Sequence, residues 1–289
     1  MTVTGLRLAD ALATFTRETH LEAQHRRLMD AGRAAVPYDA STAASLPVEL
    51  RASLAELWRA RMLGEHRSVG IFALYVLDLL GAGAPAEMLS GACRASLDEV
   101  RHAEIFARLA SLYSGKSETP EPGIPAMPDD ASVPMRDQIA REALHLSVFA
   151  ESYSAVLLGE LLDRAKDPTV RAALGVVLAD EVHHARMGWA MLAMLFAGER
   201  GDELRARVQA ELCATMDALV KAMFGDTSRL PPPSLEEPLQ ALAAAHGWMS
   251  ARDEWALFEA AISDVWIPGL AALGVDAGGL AGRYPAPAA

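Results

Sequence analysis

The sequence predicts an all-α fold built on four long helices with one long crossover connection, flanked by an N-terminal helix and C-terminal helices. Three observations predict it. Apolar residues recur at spacings of three and four along four long stretches, the period of a helix with one buried face. Prolines fall at the starts of these stretches or between them. Finally, a string in the second stretch, Asp98-Glu99-Val100-Arg101-His102-Ala103, returns in the fourth as Asp180-Glu181-Val182-His183-His184-Ala185.

In chain order, residues 5–33 read as a helix with Leu6, Leu8, Leu12, Phe15 and Leu28 among polar neighbours. His20 and His25 lie on it and read as packing or surface residues, because the segment has no copy elsewhere. Pro37 and residues 39–47 break the helix, and Pro47 suits the first turn of a long helix over 47–80, closed by Gly81-Ala82-Gly83. Trp58, Met62, Glu65, Val69 and Phe72 share one stripe of it, so Glu65 points where the apolar residues point. A charge in that place needs a partner. Pro85 opens the second long helix, over 85–114, with Leu89, Ser96, Glu99, His102, Phe106 and Leu109 on its inner face. The next stretch, 115–134, holds Pro120, Pro122, Pro125, Pro128 and Pro134. It cannot be a helix, and it is long enough to be the crossover. The third helix spans 135–165, Asp167-Pro168 makes a turn, and the fourth spans 168–197 before Gly198. A helix over 201–224, three prolines at 231–233, and shorter helices near 235–246 and 251–272 complete the chain. The expectation is one domain over 1–272, with its core at 47–198 and a flexible tail at 273–289.

Composition narrows the function. With 289 residues, 52% of them hydrophobic, the chain can bury a large core. Its net charge of −12 would repel a phosphate backbone, which argues against nucleic acid as a partner. Cys93 and Cys213 lack metal-type spacing and read as reduced thiols of a cytoplasmic protein. The first residues lack the basic-then-apolar build of a signal peptide. The longest apolar runs, 69–77 and 187–198, are shorter than the roughly 20 residues of a membrane span, so no span is expected.

The repeated string carries the chemistry. Glu99 and His102, like Glu181 and His184, sit three residues apart, which on a helix sets carboxylate and imidazole on one face a turn apart. Such a pair can chelate iron or manganese, and the Asp before each Glu can accept a histidine N–H. The spacing alone decides nothing, since Glu22 and His25, Glu142 and His145, and Asp180 and His183 show it too. Context separates the chosen pairs. Glu65 lies 34 residues before Glu99 and Glu151 lies 30 before Glu181, each in an apolar pattern and each followed by a serine three residues on, Ser68 and Ser154. The chain therefore reads as two copies of one unit: a helix with a buried Glu, then a helix with Asp-Glu-x-x-His. His183 points about 100° away from His184 and reads as packing rather than ligand. His145 falls on a different face from Glu151, so Glu142 and His145 stay outside the ligand set.

On these residues the chain resembles the ferritin-like di-iron carboxylate proteins, over about residues 47–198. The resemblance implies a ferritin-like four-helix bundle whose core holds two metal ions through Glu65, Glu99, His102, Glu151, Glu181 and His184. It implies iron, with manganese or a mixed pair as the alternative, and activation of dioxygen to oxidise a small or medium apolar substrate, with electrons from an external donor. A homodimer is compatible with it. Asp98 and Asp180 would accept the histidine N–H groups crosswise between helices, and Arg101 would balance an aspartate. The string Asp-Glu-x-Arg-His at 98–102 is similar to motifs of soluble di-iron monooxygenases and acyl-carrier-protein desaturases, in which Ser154 would match a hydroxyl near the oxygen site. The second copy departs from them with His183 in place of Arg. Phe106 stands where a radical-generating reductase subunit has tyrosine, and Val177 where arylamine N-oxygenases have an extra histidine. Ala155 and Gly188, one turn after Glu151 and His184, would leave room for a substrate. The other reading is a ferroxidase or iron-handling protein, against which stand the helices outside the bundle.

Overall fold

The computed structural model describes residues 19–30, 35–121, 133–225 and 235–284. The chain divides into two compact units, Met1–Val36 and Pro37–Ala289, where a single domain over 1–272 was expected. The boundary falls at Pro37, whose ring disfavours a helical conformation at the residue before it. Of the first unit, helix α1 (Thr19–Asp30) is described, and the rest of the helix predicted over 5–33 lies outside the described residues.

The second unit is all-helical, with no strand among the described residues. After a short helix α2 (Ala40–Ala44) come α3 (Val48–Gly81) and α4 (Ala86–Ser114). The tight link between α3 and α4 folds them into a hairpin packed along its length. Gly115 ends α4 in the left-handed region at φ 73°, its N–H on Ser111 O, as glycine permits. The crossover is described only in part, since residues 122–132 are outside the described set.

The third long run is less regular than the predicted α-helix. It begins as α5 (Met135–Glu142), widens into a π-helical segment (Ala143–Glu151), and continues as α6 (Ser152–Arg164). Its partner α7 (Pro168–Ala197) starts with Asp167 accepting the Val170 N–H at 2.9 Å, a cap worth about 1 kcal/mol. α7 packs against α6, the π segment and α4. A sharp reversal through Arg200, at φ 57°, then leads into α8 (Gly201–Phe224). Glycine is required at 201, where a Cβ would lie 1.9 Å from Phe196 O.

The C-terminal part comprises α9 (Glu237–Ala244), α10 (Ala251–Ala261), a second π segment (Ile262–Trp266), α11 (Ile267–Ala272) and a 3₁₀ turn (Gly278–Leu280). Within the flexible tail expected over 273–289, Val275, Ala277 and Leu280 are instead buried in the core. Three apolar side chains in so short a stretch hold it down, a signal hidden among the glycines of 274–282. Residues 285–289 lie outside the described set.

Among the described residues, two apolar clusters stand out in the unit. Phe72, Tyr75, Leu79, Met88, Ile139 and Met191 form one, with the Tyr75 hydroxyl on Met191 Sδ at 3.3 Å. The other joins the π segment, α7 and α8 to the C-terminal helices through Phe149, Tyr153, Phe224, Trp255, Phe258 and Trp266. Its rings meet mostly edge to face at 4.9–5.9 Å, each such pair contributing about 0.5–1.5 kcal/mol beyond its buried area. Cys93 and Cys213 are free thiols. Among the described residues no helix is long and apolar enough to cross a membrane.

Candidate metal centre

Between these clusters the long helices turn a set of acids and histidines inward. Glu65 comes from α3, Glu99 and His102 from α4, Glu151 is the last residue of the π segment, and Glu181 and His184 come from α7. Their ligand atoms fall into two groups, each within 4.8 Å: Glu65, Glu99, His102 and Glu181 in one, and Glu99, Glu151, Glu181 and His184 in the other. Glu99 and Glu181 belong to both. Each group could hold a metal ion, and two carboxylates would then span the pair.

The distances suit ligands gathered around an ion. His102 Nδ1 lies 3.0 Å from Glu181 Oε1, 3.6 Å from Glu65 Oε2 and 3.7 Å from Glu99 Oε2. His184 Nδ1 lies 3.2 Å from Glu99 Oε1, 3.7 Å from Glu181 Oε2 and 3.9 Å from Glu151 Oε2. Donors about 2.1 Å from a common ion stand some 3 Å or more apart. The two Nδ1 atoms, His184 Nε2, Glu99 Oε1 and Glu181 Oε2 are buried without a hydrogen bond of proper geometry among the described residues. An unpaired buried polar atom is costly, and those on these groups fit donors to cations.

Behind the ligands, the rings are held crosswise. His102 Nε2, on α4, lies 3.3 Å from Asp180 Oδ2 on α7, and His184 Nε2, on α7, lies 3.5 Å from Asp98 Oδ2 on α4. A proton on each Nε2 leaves Nδ1 as the metal-binding nitrogen. Arg101 joins the two aspartates, with Nη1 3.1 Å from Asp98 Oδ1 and 2.9 Å from Asp180 Oδ2. Arg94 adds a contact to Asp98 Oδ1 at 2.9 Å. The chain matches no family model, no curated protein and no solved structure. The site therefore stands on its own geometry.

Electrostatics tie the six groups to one another. Burial first, and then the charge of Glu99, pushes Glu65 well above the usual carboxylate range; burial and then Glu181 do the same to Glu151. Burial would lower both histidines, yet the surrounding carboxylates outweigh it and hold His102 and His184 well above the ordinary imidazole range. Burial opposes ionisation of Glu99 and Glu181 too, but the histidines at Glu99, and a bond from the Glu151 carboxyl followed by the histidines at Glu181, overcome it and hold both low.

Other residues fall elsewhere. Ser154 is half-buried, while its neighbour Ser152 accepts the Trp189 indole N–H at 3.2 Å. His183 and His145 are exposed. Glu142 is buried away from the six ligands, beside Asp78; Gln138 Nε2 reaches Asp78 Oδ2 at 3.0 Å and Glu142 Oε1 at 3.3 Å. Gly188 does not make room for a substrate, because a Cβ there would lie 2.1 Å from Ser147 Cβ. The space is filled by the π segment. Sequence reasoning missed Arg94, Ser152, Trp189 and Trp266; only an arginine four residues before Asp98 gave a readable signal.

Proposed function

We propose that the chain is an oxygen-activating, non-haem di-iron oxidase or oxygenase of the ferritin-like four-helix type, acting on a small or medium apolar substrate with electrons from an external donor. The observation that carries this reading is the pair of ligand groups sharing Glu99 and Glu181, with each histidine backed by an aspartate of the opposite helix. Two iron(II) ions in such a carboxylate and imidazole cage supply the electrons that reduce dioxygen for attack on a bound substrate.

The chain's own residues account for the rest. Glu65 with His102, and Glu151 with His184, close the two ends of the site. Four carboxylates balance two dications and leave the imidazoles neutral, so a centre this deeply buried carries no net charge. Asp98 and Asp180 hold the imidazole protons, and Arg101 offsets the aspartates. Phe72, edge-on to His184 at 5.6 Å, and Phe106, against Trp58 at 5.3 Å, keep water from the flanks. Glu65 is the partly exposed ligand, its side chain 17% accessible. Its neighbour His66 and the neighbour of His102, Ala103, line a groove of about 450 Å³ with Val69, Val100 and Ala107. None of the six ligands lines this groove, and Glu104, Arg108 and Glu118 stand on its wall, but its apolar part, on the two helices that carry Glu65 and His102, supports a small apolar substrate.

Loading the metal-free protein with about twenty equivalents of ferrous iron in air, followed by desalting, tests the reading. An oxidase or oxygenase keeps about two ions per chain, because six ligands retain them between turnovers. Tens of ions per chain, held in a soluble particle, would show an iron-storing protein instead.

A further inference from the structure

We infer that the C-terminal helices hold Glu151 in the metal centre, with Trp266 as the positioning residue that fixes the π segment; this rests on the reading of the six ligands as a metal site. Glu151 is the one ligand presented by π-helical backbone, and it ends the segment where the hydrogen-bond ladder returns from i→i+5 to i→i+4 spacing. Such a change of spacing leaves carbonyls open to donors from outside the helix. Trp266 supplies one. Its indole N–H donates to Val148 O at 3.0 Å, three residues before Glu151, and its ring meets Phe149 edge-on at 5.4 Å.

A second hold lies on the other side of Glu151. Trp189 donates to Ser152 Oγ at 3.2 Å, and the Trp189 ring lies on Gly269, where a Cβ would come within 2.5 Å of it. Gly269 is three residues after Trp266, so both holds lead back to one stretch of the C-terminal helices. Val148 is thereby tied directly, and Ser152 through Trp189 of α7, to an element that contributes no ligand. Trp255 provides the internal contrast. It is equally buried in the same aromatic cluster, but its indole nitrogen has no hydrogen-bond partner among the described residues.

The test compares Trp266→Phe with Trp255→Phe in the full chain. Both remove an indole from one cluster, and only the first removes a bond to the π segment. Stepwise titration with manganese(II) under nitrogen should show one binding step weakened about tenfold in Trp266→Phe, the other unchanged, and both steps unchanged in Trp255→Phe. Ser152→Ala, a smaller change that removes the acceptor for Trp189, should weaken the same step. Equal effects of the two tryptophan variants, or none in Trp266→Phe and Ser152→Ala, would overturn the inference. Hydrogen exchange of the metal-free chain reads the hold without metal: residues 143–152 should exchange faster in Trp266→Phe than in the wild type or Trp255→Phe. Unchanged exchange there would overturn the inference as well. A wild-type chain that takes up no pair of ions while Trp266→Phe still loosens 143–152 would instead remove the metal-centre reading and leave the hold standing.

Discussion

His102 Nε2 on α4 lies 3.3 Å from Asp180 Oδ2 on α7. The aspartate that precedes one chelating pair thus serves the histidine of the other, and the reciprocal contact joins His184 to Asp98. The exchange links α4 and α7 at the depth of the site, by a hydrogen bond at His102 and by a looser 3.5 Å approach at His184, and leaves the Nδ1 of each ring toward the carboxylates. Asp180→Asn keeps the shape and removes the charge. Metal affinity should fall by about 10–100-fold with the fold intact, since Arg101 retains Asp98. Calorimetric titration measures it, and an unchanged affinity would mean that Asp180 serves only to hold Arg101.

The two ligand groups predict different losses for end and shared carboxylates. Glu65→Ala leaves the group of Glu99, Glu151, Glu181 and His184 complete and should retain about one ion per chain. Glu99→Ala damages both groups and should retain less than Glu65→Ala. Elemental analysis after desalting decides it, and equal losses from the two variants would refute a shared Glu99.

Glu142 predicts a pH dependence separate from metal. Burial, then the neighbouring Asp78, pushes its carboxyl up to about 8 from an ordinary value of 4.5. Between those values the folded chain keeps a proton that the unfolded chain has released. The resulting stability is full at low pH and is lost as pH rises through 8. The Tm difference between wild type and Glu142→Gln in metal-free protein should therefore shift against the wild type from pH 5 to pH 8. Parallel curves would contradict it.

Gly188 predicts a packing conflict. A Cβ there meets Ser147 Cβ at 2.1 Å and Ser147 backbone carbon at 3.0 Å, so Gly188→Ala must push the π segment away from α7. The loss should be about 1–3 kcal/mol of stability, and Ser147→Gly in the same chain should restore part of it. Denaturant unfolding reads both values; a neutral Gly188→Ala would show that the segment yields freely.

The helices α3, α4 and α7 were legible because proline and glycine mark their ends and because their apolar stripes follow one period. The six converging residues were legible because Asp-Glu-Val-x-His-Ala occurs twice, each time downstream of a lone Glu. The π segment was not, because periodicity is read at 3.6 residues per turn, and a stretch such as Ala143–Glu151 differs from that too little for side-chain pattern to show. Gly188 read as open space for a related reason: a small residue signals close approach, but sequence does not say whether a substrate or a backbone approaches. Trp266 and Trp189 act through hydrogen bonds to residues 118 and 37 positions away, a relationship without local signature.

Whether Glu99 and Glu181 join two ions is read by electron paramagnetic resonance of the chain loaded with manganese(II) under nitrogen, with the metal content measured on the same sample. Carboxylates shared by two ions couple their spins. The expected result is two ions per chain and the spectrum of an exchange-coupled pair. A single ion per chain, or two ions giving only the signal of isolated manganese(II), would contradict a dinuclear centre.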